Sequence, residues 1–402
     1  MSEWKTYRLS DVVQFNPAER LSKGAIAKKV AMEHLQPFTR AISGYELAVY
    51  SGGSKFRNGD TLMARITPCL ENGKTAYVSF LDNGEVGFGS TEYIVFRSIE
   101  GVTDSKFVYY FVTSPWFRNI AIKSMVGSSG RQRVQQSVLE NLEVNIPPLA
   151  EQKRIAAILG ALDDKIELNR RINANLEEQA QALFKSWFVD FEPFRDGPFV
   201  DSELGKIPQG WKVTELGNVT KQKTEKVGQQ TTVKVLSPVT TGKLVLSEEY
   251  FTKQVFSESI AKYIIVKPNQ FAYNPARINI GSIGRNTFGF DGCVSPVYVV
   301  FECEKGYHYF FDFFRKTDAF KKAVISRAIG GVRQTLGYKD FALIKVVYPP
   351  ENVVRKFNAI YINLLNLQNH HNLENKTLSA LRDTLLPKLM SSELSVENDY
   401  EL

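Results

Sequence analysis

Apolar residues recur every three or four positions along residues 147–190, which is the spacing of an amphipathic helix. A subset repeats at intervals of seven with one polar member: Ile155, Leu162, Asn169, Leu176 and Leu183. This heptad pattern is typical of a helix that packs along its length against a second helix. Because the stretch follows two prolines and the next proline is Pro193, the sequence predicts a helix of about 40 residues, roughly 60 Å long.

A second stretch, residues 349–390, also begins with two prolines and carries the same pattern. A shift of 202 positions places the first heptad residues on Phe357, Leu364, His371, Leu378 and Leu385. The polar positions Asn169 and His371 coincide, and a polar residue in such a seam fixes the register of paired helices at some cost in stability. The sequence therefore predicts an internal repeat whose two long helices pack on each other.

The residues before each long helix repeat as well. Residues 90–96 (STEYIVF) correspond to residues 295–301 (SPVYVVF), and both are rich in the β-branched and aromatic residues that favour strands. Residues 106–122 and 308–325 each predict one aromatic helix. Each half of the chain is therefore predicted to be a mixed α/β globule followed by a long helix.

The expected fold class is α+β, with two mixed α/β globules separated by two long coiled-coil helices in a pseudo-two-fold internal repeat. A segment rich in proline and glycine, residues 192–211, marks the boundary between the halves. The predicted segments are a first globule (1–148), a first long helix (149–191), a linker with the second globule (192–348), a second long helix (349–391) and an acidic tail (392–402).

Composition narrows the class of protein further. A chain of 402 residues with 43% hydrophobic residues is folded and too long for one core. Three cysteines without a metal-binding or disulfide framework favour a reducing compartment, so we expect a cytoplasmic protein, and no apolar run is long enough for a membrane span. The net charge of +7 lies mostly in the two globules and is compatible with a polyanionic partner.

Fragments that resemble catalytic motifs are incomplete. Asn72–Thr75 looks like the end of a phosphate-binding loop, but Pro68 stands where that motif needs its first glycine. Tyr273–Arg277 resembles the Asn-Pro-Pro-aromatic loop of amino-methyltransferases without the second proline and the aromatic residue. We therefore predict a protein that is not itself an enzyme and that holds neither a metal nor a cofactor.

Polar loops provide the candidate binding residues. Residues 64–76 and 273–286 occupy similar places in the two halves and mix arginine and asparagine with glycine, so their backbone can approach a phosphate. Residues 128–133 and 330–335 add arginine and glutamine, which suit the edges of guanine and adenine. Solvated turns are the alternative interpretation. The candidate DNA-contacting residues are Arg65, Thr67, Asn72, Lys74, Ser128, Arg131, Gln132, Arg133, Arg277, Asn279, Arg285, Arg333 and Gln334.

Residues 146–191, IPPLAEQKRIAAILGALDDKIELNRRINANLEEQAQALFKSWFVDF, closely resemble the central conserved region of the specificity (S) subunits of type I restriction–modification systems. The order of globule, helix, globule, helix is similar to that family from end to end, with a weaker second copy in residues 349–390. The resemblance implies two target recognition domains, each of which reads one half of a split, asymmetric site in duplex DNA. It also implies antiparallel helices that set the distance between the half-sites.

The resemblance further implies the partners. Two methyltransferase (M) subunits would dock on the helices, and restriction (R) subunits would complete the endonuclease. S-adenosylmethionine, ATP and Mg²⁺ would belong to those partners. Two alternatives remain open: a stand-alone DNA methyltransferase with its own recognition domain, which would need the cofactor and catalytic loops that are missing here, and a coiled-coil scaffold with no role on DNA, which would show no sequence preference at any salt concentration.

Overall fold

The structure, a computed structural model, describes residues 4–128, 130–229, 232–251, 253–327 and 335–396. The chain divides into two compact units. The first unit comprises Met1–Asn173 and Asn369–Leu402, and the second comprises Ala174–Gln368. Both boundaries between the units fall within the long helices.

The first unit contains short strands and helices ahead of one long helix. Its strands are β1 (Lys5–Arg8), β2 (Val13–Phe15), β3 (Ile26–Val30), β4 (Glu46–Val49), β5 (Lys55–Phe56), β6 (Thr61–Ala64), β7 (Thr75–Tyr77), β8 (Gly87–Gly89), β9 (Tyr93–Ser98) and β10 (Glu143–Ile146). Its short helices are α1 (Leu9–Val12), α2 (Ser105–Thr113), α3 (Pro115–Lys123) and α4 (Gln136–Glu140). The long helix α5 (Leu149–Phe188) begins in this unit and ends in the second.

The second unit repeats this plan. Its strands are β11 (Phe199–Ser202), β12 (Gly205–Pro208), β13 (Lys212–Glu215), β14 (Thr220–Lys223), β15 (Lys234–Pro238), β16 (Leu244–Leu246), β17 (Ile264–Val266), β18 (Phe271–Tyr273), β19 (Ile283–Arg285), β20 (Gly292–Val294), β21 (Val299–Cys303) and β22 (Lys345–Tyr348). Its short helices are α6 (Ser247–Tyr250), α7 (His308–Phe314), α8 (Asp318–Arg327) and α9 (Tyr338–Ala342). The long helix α10 (Glu351–Met390) begins in this unit and ends in the first.

The sheets of the two units have the same topology. In the first unit the strand orders are β2-β9-β6-β7 and β4-β3-β8-β5, with β1 paired to β10. In the second they are β14-β21-β18-β19 and β16-β15-β20-β17, with β13 paired to β22. Lys5 lies opposite Ile146 as Lys212 lies opposite Tyr348, and each unit has one parallel strand pair, β3 with β8 and β15 with β20. The predicted internal repeat and the α+β class are confirmed.

The aromatic helices differ from the prediction. Residues 106–122 form two helices rather than one, because the Ser114 hydroxyl accepts a hydrogen bond from the Phe117 amide at 3.3 Å and Pro115 begins the second helix. Thr317 plays the same part between α7 and α8, where its hydroxyl accepts from the Phe320 amide at 3.3 Å. A side-chain cap in the middle of an apolar stretch starts a new helix, so the apolar pattern continues while the helix axis changes.

The long helices α5 and α10 pack antiparallel. In the first unit Arg382 donates to Asp163 at 2.6 Å, and Asn169 donates to Glu374 at 2.6 Å, so residue numbers rise along one helix as they fall along the other. In the second unit the rings of Phe184 and Phe357 lie 6.0 Å apart between the same two helices.

The heptad positions of the two helices are buried to different degrees. The buried members are Ile155, Asn169, Leu176 and Phe357, and the half-buried members are Leu162, Leu183, Leu364, His371, Leu378 and Leu385. Asn169 and His371 do not bond to each other. Asn169 donates to Glu374 and Asn375, whereas the imidazole of His371 lies 2.9 Å from the amide oxygen of Asn173. Each polar residue thus contacts side chains about one turn away from its repeat partner.

Candidate nucleic-acid interface

Two loops of the first unit, distant in sequence, meet through their backbones. The amide of Thr67 donates to the carbonyl of Gln132 at 3.0 Å, and the amide of Gln132 donates to the Thr67 hydroxyl at 3.0 Å. The amide of Val134 donates to the carbonyl of Arg65 at 2.8 Å. The candidate residues Arg65, Thr67 and Gln132 therefore lie in one surface patch, named here the first loop cluster, which comprises residues 65–74, 128 and 130–134.

The two arginines that flank Gln132 have different roles. Arg133 donates two hydrogen bonds from Nε and one from its terminal nitrogen to Glu92, at 2.7–3.0 Å. This ion pair, chiefly through its hydrogen bonds, raises the pKa of Arg133 and lowers that of Glu92. Arg131 is exposed, and no partner for its side chain is seen in the described residues. Arg131 is thus available to a ligand, whereas Arg133 first has to leave Glu92.

The remaining candidates of the first unit surround this patch. Asn72 and Ser128 are exposed, and the Ser128 carbonyl accepts the Arg131 amide at 3.0 Å. Lys74 donates to the carbonyl of Met32 at 2.9 Å, which holds its ammonium group against the unit. Arg65 donates to the Val134 carbonyl at 3.3 Å, so part of its guanidinium positions the loop. Among these residues Arg131, Asn72 and Ser128 are the ones most open to a ligand.

The second unit places its equivalent loops together in the same way. The amide of Leu336 donates to the carbonyl of Pro275 at 3.0 Å, which repeats the bond from Val134 to Arg65. Arg277 and Asn279 are exposed in the upstream loop. The candidates Arg333 and Gln334 lie outside the described residues.

Arg285 does not lie where a duplex can reach it. Its side chain is buried and donates to Asp312 at 2.9 Å and to Asn269 at 2.7 Å, and its guanidinium lies 4.9 Å from the Tyr309 ring centroid. Burial opposes the ionisation of Asp312, but Arg315 and Arg285 outweigh it and hold the pKa of that carboxyl below its usual range. The assignment of Arg285 to DNA contact is therefore corrected: it is a structural ion-pair residue.

Glu92 is the member of the first loop cluster that the sequence did not reveal. It precedes β9, and its contact with Arg133 depends on the approach of a segment about 40 residues away. A carboxylate beside the candidate arginines matters because it repels phosphate until Arg133 neutralises it. The ion pair therefore sets how much positive charge the first loop cluster presents.

In the described part of the chain, no helix is long and apolar enough to cross a membrane. Within the same residues, no group of three or more His, Cys, Asp or Glu side chains is placed to hold a metal ion.

Comparisons with known proteins show what the chain as a whole is similar to. A family model described as the type I restriction modification DNA specificity domain matches residues 1–178. The MjaIX specificity subunit of Methanocaldococcus jannaschii is 27% identical over 321 residues, which are 75% of this chain and 72% of that protein. The chain is thus similar to the specificity subunits of type I restriction–modification systems, and its residues 1–178 match the DNA specificity domain of such systems.

The likeness extends over the whole chain. The HindI specificity subunit of Haemophilus influenzae is 26% identical over an alignment that covers 98% of this chain and 100% of that protein. A crystal structure of the type I restriction–modification S subunit from M. genitalium has a TM-score of 0.54 at 15% identity and covers 97% of this chain and 96% of that one. This structural likeness supports the fold of a specificity subunit.

Proposed function

We propose that this specificity subunit reads a split, asymmetric site in duplex DNA, with one half-site for each recognition domain. In this proposal residues 1–148 and 192–348 are the recognition domains, residues 149–191 and 349–391 are the helices that set the gap between half-sites, and residues 392–402 are a tail. Two methyltransferase subunits dock on the helices, and restriction subunits join them to cleave DNA.

The observation that carries this proposal is the duplicated meeting of polar loops. In the first unit the amide of Val134, just before α4, donates to the carbonyl of Arg65 in the loop after β6. In the second unit the amide of Leu336, just before α9, donates to the carbonyl of Pro275 in the loop after β18. One such meeting is an ordinary loop contact, whereas two at equivalent positions provide two similar surfaces. Two similar surfaces suit a ligand with two sites to read.

The chemistry of the first loop cluster suits a duplex. An arginine such as Arg131 can bond both acceptors of a guanine edge, and a glutamine such as Gln132 can bond an adenine edge. Backbone amides and hydroxyls in the same loops can contact phosphates, which position a protein without specifying sequence. Because Arg131 is exposed and Gln132 is half-buried, both side chains are placed on the surface at a point where the backbone is fixed.

The long helix α10 carries exposed apolar residues that support the docking of partner subunits. They include Ile360 and Leu367 in the second unit, which are 41% and 49% exposed, and Leu373 and Leu381 in the first unit, which are 66% and 46% exposed. Apolar residues that recur on a helix surface mark protein–protein contact when they form a stripe. We propose that S-adenosylmethionine, ATP and Mg²⁺ bind to the docked subunits and that this chain is not catalytic.

Duplex binding by the complex of this chain with its methyltransferase subunit tests the recognition role. We expect Arg131→Ala with Gln132→Ala to weaken binding to the cognate site by about 1–3 kcal/mol for each pair of base hydrogen bonds removed, while binding to unrelated duplex changes little. The matched control is Arg8→Ala with Gln14→Ala, an exposed arginine and glutamine elsewhere in the same unit.

The salt dependence of the same binding separates base contacts from phosphate contacts. Removal of a side chain that neutralises a phosphate reduces the slope of log affinity against log salt concentration by about one. It also weakens binding to all duplexes alike. That result, or an equal loss of affinity in the control variant, would exclude Arg131 and Gln132 from base recognition. A complex without any preference for sequence at any salt concentration would instead favour a scaffold.

A further inference from the structure

Each unit has a turn of the same form just before one of its central strands. In the first unit residues 90–93 form the turn before β9, and the amide of its last residue donates to the carbonyl of its first at 3.3 Å. In the second unit residues 295–298 form the turn before β21 with the same bond at 3.0 Å. Glu92 and Val297 are the third residues of these turns and are therefore equivalent positions of the repeat.

The segments before α4 and α9 provide a second pair of equivalent positions. Arg133 directly precedes the residue whose amide donates to the Arg65 carbonyl at 2.8 Å. Thr335 directly precedes the residue whose amide donates to the Pro275 carbonyl at 3.0 Å. Arg133 and Thr335 are also 202 positions apart, which is the offset between the long helices. One charged pair of positions in the first unit thus corresponds to an uncharged pair in the second.

In the first unit the backbone at both positions is fixed while the side chains face solvent. The amide of Arg133 donates to the Val126 carbonyl at 2.9 Å, and its carbonyl accepts the Val126 amide at 3.0 Å. The carbonyl of Glu92 accepts the Arg65 amide at 2.9 Å. The two side chains bond each other at 2.7 Å and are 47% and 24% exposed for arginine and glutamate. A ligand can therefore separate these side chains without any change of the loops that carry them.

The charges of this pair match one base pair better than the others. In the major groove guanine presents two acceptors that suit Arg133, and the cytosine beside it presents an amino donor that suits the carboxylate of Glu92. A·T and C·G pairs in the same orientation present a donor to the arginine and an acceptor to the carboxylate. A T·A pair offers the arginine one acceptor beside a methyl group. A G·C pair is therefore the best match.

The magnitudes favour an exchange of partners on that base pair. An exposed ion pair holds its two groups together by a factor of about five at most. A good bidentate contact with a base discriminates against the wrong base by about 5- to 150-fold. The matched base pair therefore outweighs the ion pair of Glu92 with Arg133. On other sequences the ion pair stays closed, so Glu92 keeps the arginine from a phosphate.

The second unit presents apolar groups at the equivalent positions. Val297 is 69% exposed, and Thr335 is exposed. A single exposed valine is ordinary on a protein surface, but this valine has the place of the carboxylate, and the threonine has the place of the arginine. Apolar groups, including the methyl group of threonine, contact the methyl group of thymine in the major groove. The second unit therefore suits thymine where the first suits guanine and cytosine.

We propose that these two equivalent positions determine one base pair in each half-site. Glu92 and Arg133 exchange their ion pair for the edges of a G·C pair, and Val297 and Thr335 contact the methyl group of a thymine. Different chemistry at equivalent positions makes the two half-sequences different, as an asymmetric site requires. This inference rests on the proposed recognition of one half-site by each recognition domain.

Competition binding tests the first unit. The complex of this chain with its methyltransferase subunit is offered duplexes that differ from its methylated site by one base pair. We expect Glu92→Ala and Arg133→Ala each to reduce the preference for G·C at one and the same position by about 5- to 150-fold. Because both side chains serve one base pair, the two losses should not add in the double variant. Glu92→Ala should also tighten binding to unrelated duplex and steepen its salt dependence, since Arg133 can then reach a phosphate.

The matched control is Glu46→Ala, which breaks an exposed ion pair with Lys29, 2.6 Å long, in the same unit. It should leave the preference at every position unchanged. Equal losses at all positions in Glu92→Ala and Arg133→Ala, or no loss of a G·C preference in either, would overturn the inference while the two half-sequences of the wild type still support the proposed function. A wild-type complex without sequence preference would refute the proposed function itself.

Transfer of the charged pair tests the second unit. We expect Val297→Glu with Thr335→Arg to replace a thymine by a G·C pair at one position of the second half-sequence, as mapped by adenine methylation, with the first half-sequence and the gap unchanged. The reverse exchange, Glu92→Val with Arg133→Thr, should place thymine in the first half-sequence. Transferred pairs that leave both half-sequences as they were, or that alter the half-sequence of the other unit, would overturn the inference.

Discussion

A buried ion pair between the long helices provides the sharpest test of how the first unit is held together. Arg382 on α10 donates to Asp163 on α5 at 2.6 Å, and their side chains are 10% and 4% exposed. The Tyr110 hydroxyl on α2 donates to the same carboxylate at 2.8 Å. Burial above all, and then the charge of Asp163, raise the pKa of Tyr110, so this hydroxyl stays protonated and remains a donor. Three helices thus meet at one carboxylate.

Replacement of Asp163 by leucine leaves Arg382 buried, and among the described residues its one remaining partner is the exposed Asp383. Removal of one member of a buried pair costs about 3–5 kcal/mol, because the other charge stays desolvated. The double variant Asp163→Leu, Arg382→Leu leaves no unpaired charge, so part of this stability should be recovered. The part not recovered is about 1–3 kcal/mol, since the Tyr110 hydroxyl still lacks an acceptor.

Hydrogen exchange of the α5 and α10 amides within the first unit measures these effects locally, which suits a chain of two units that need not unfold in one step. A destabilisation of about 3–5 kcal/mol corresponds to exchange that is roughly 10²–10⁴ times faster. The control is Asp318→Leu, which breaks an exposed ion pair with Lys321 in the second unit. It should change the opening free energy obtained from exchange by less than about 1 kcal/mol. A single variant as mild as the control, or a double variant worse than the single, would refute the reasoning.

Three further predictions follow from other parts of the chain. Burial lowers the pKa of His308 from 6.5 to about 4, so as pH falls the unfolded chain takes up this proton before the folded chain does. The second unit should therefore lose stability as pH falls from about 6.5 to about 4. Acid unfolding of His308→Phe should lack this dependence of stability on pH. Gly73→Ala should destabilise the first unit by about 1–3 kcal/mol in thermal melts, because alanine disfavours positive φ and its β-carbon meets Phe38, and a second change of Phe38→Ala should recover the steric part. Insertion of four residues after both Leu168 and His370 adds about 6 Å to each long helix. The methylated site should then keep its two half-sequences with a gap longer by nearly two base pairs. An unchanged gap would contradict the proposal that the helices set the distance between half-sites.

Much of the fold was predictable because it is encoded twice. The offset of 202 positions between the heptad patterns identified both long helices and the repeat, since each pattern confirms the other. The sheets were not predictable in detail, because a strand such as β8 pairs with β3, more than 50 residues earlier. The helix break at Ser114 was missed because hydrophobic spacing alone does not show that a serine caps a new helix.

The structure brings together loops that were chosen separately from the sequence, whereas their contact with DNA stays a prediction. Backbone hydrogen bonds join residues 65–67 to residues 132–134. Local sequence shows that an arginine can bond a base and leaves its folded partners unknown. Arg285 is neutralised by Asp312, 27 residues away, and Arg133 by Glu92, 41 residues away. Contacts of this range depend on the tertiary fold, so sequence reasoning could not separate these residues from Arg131.

A map of methylated adenines in DNA modified by the assembled complex shows whether each recognition domain reads one half-site. For the wild type we expect one motif made of two half-sequences with a fixed gap. With Arg131→Ala and Gln132→Ala, we expect one half-sequence and the gap to persist while the other half-sequence is relaxed. Equal relaxation of both half-sequences, or a single undivided motif in the wild type, would contradict the reading of one half-site by each recognition domain.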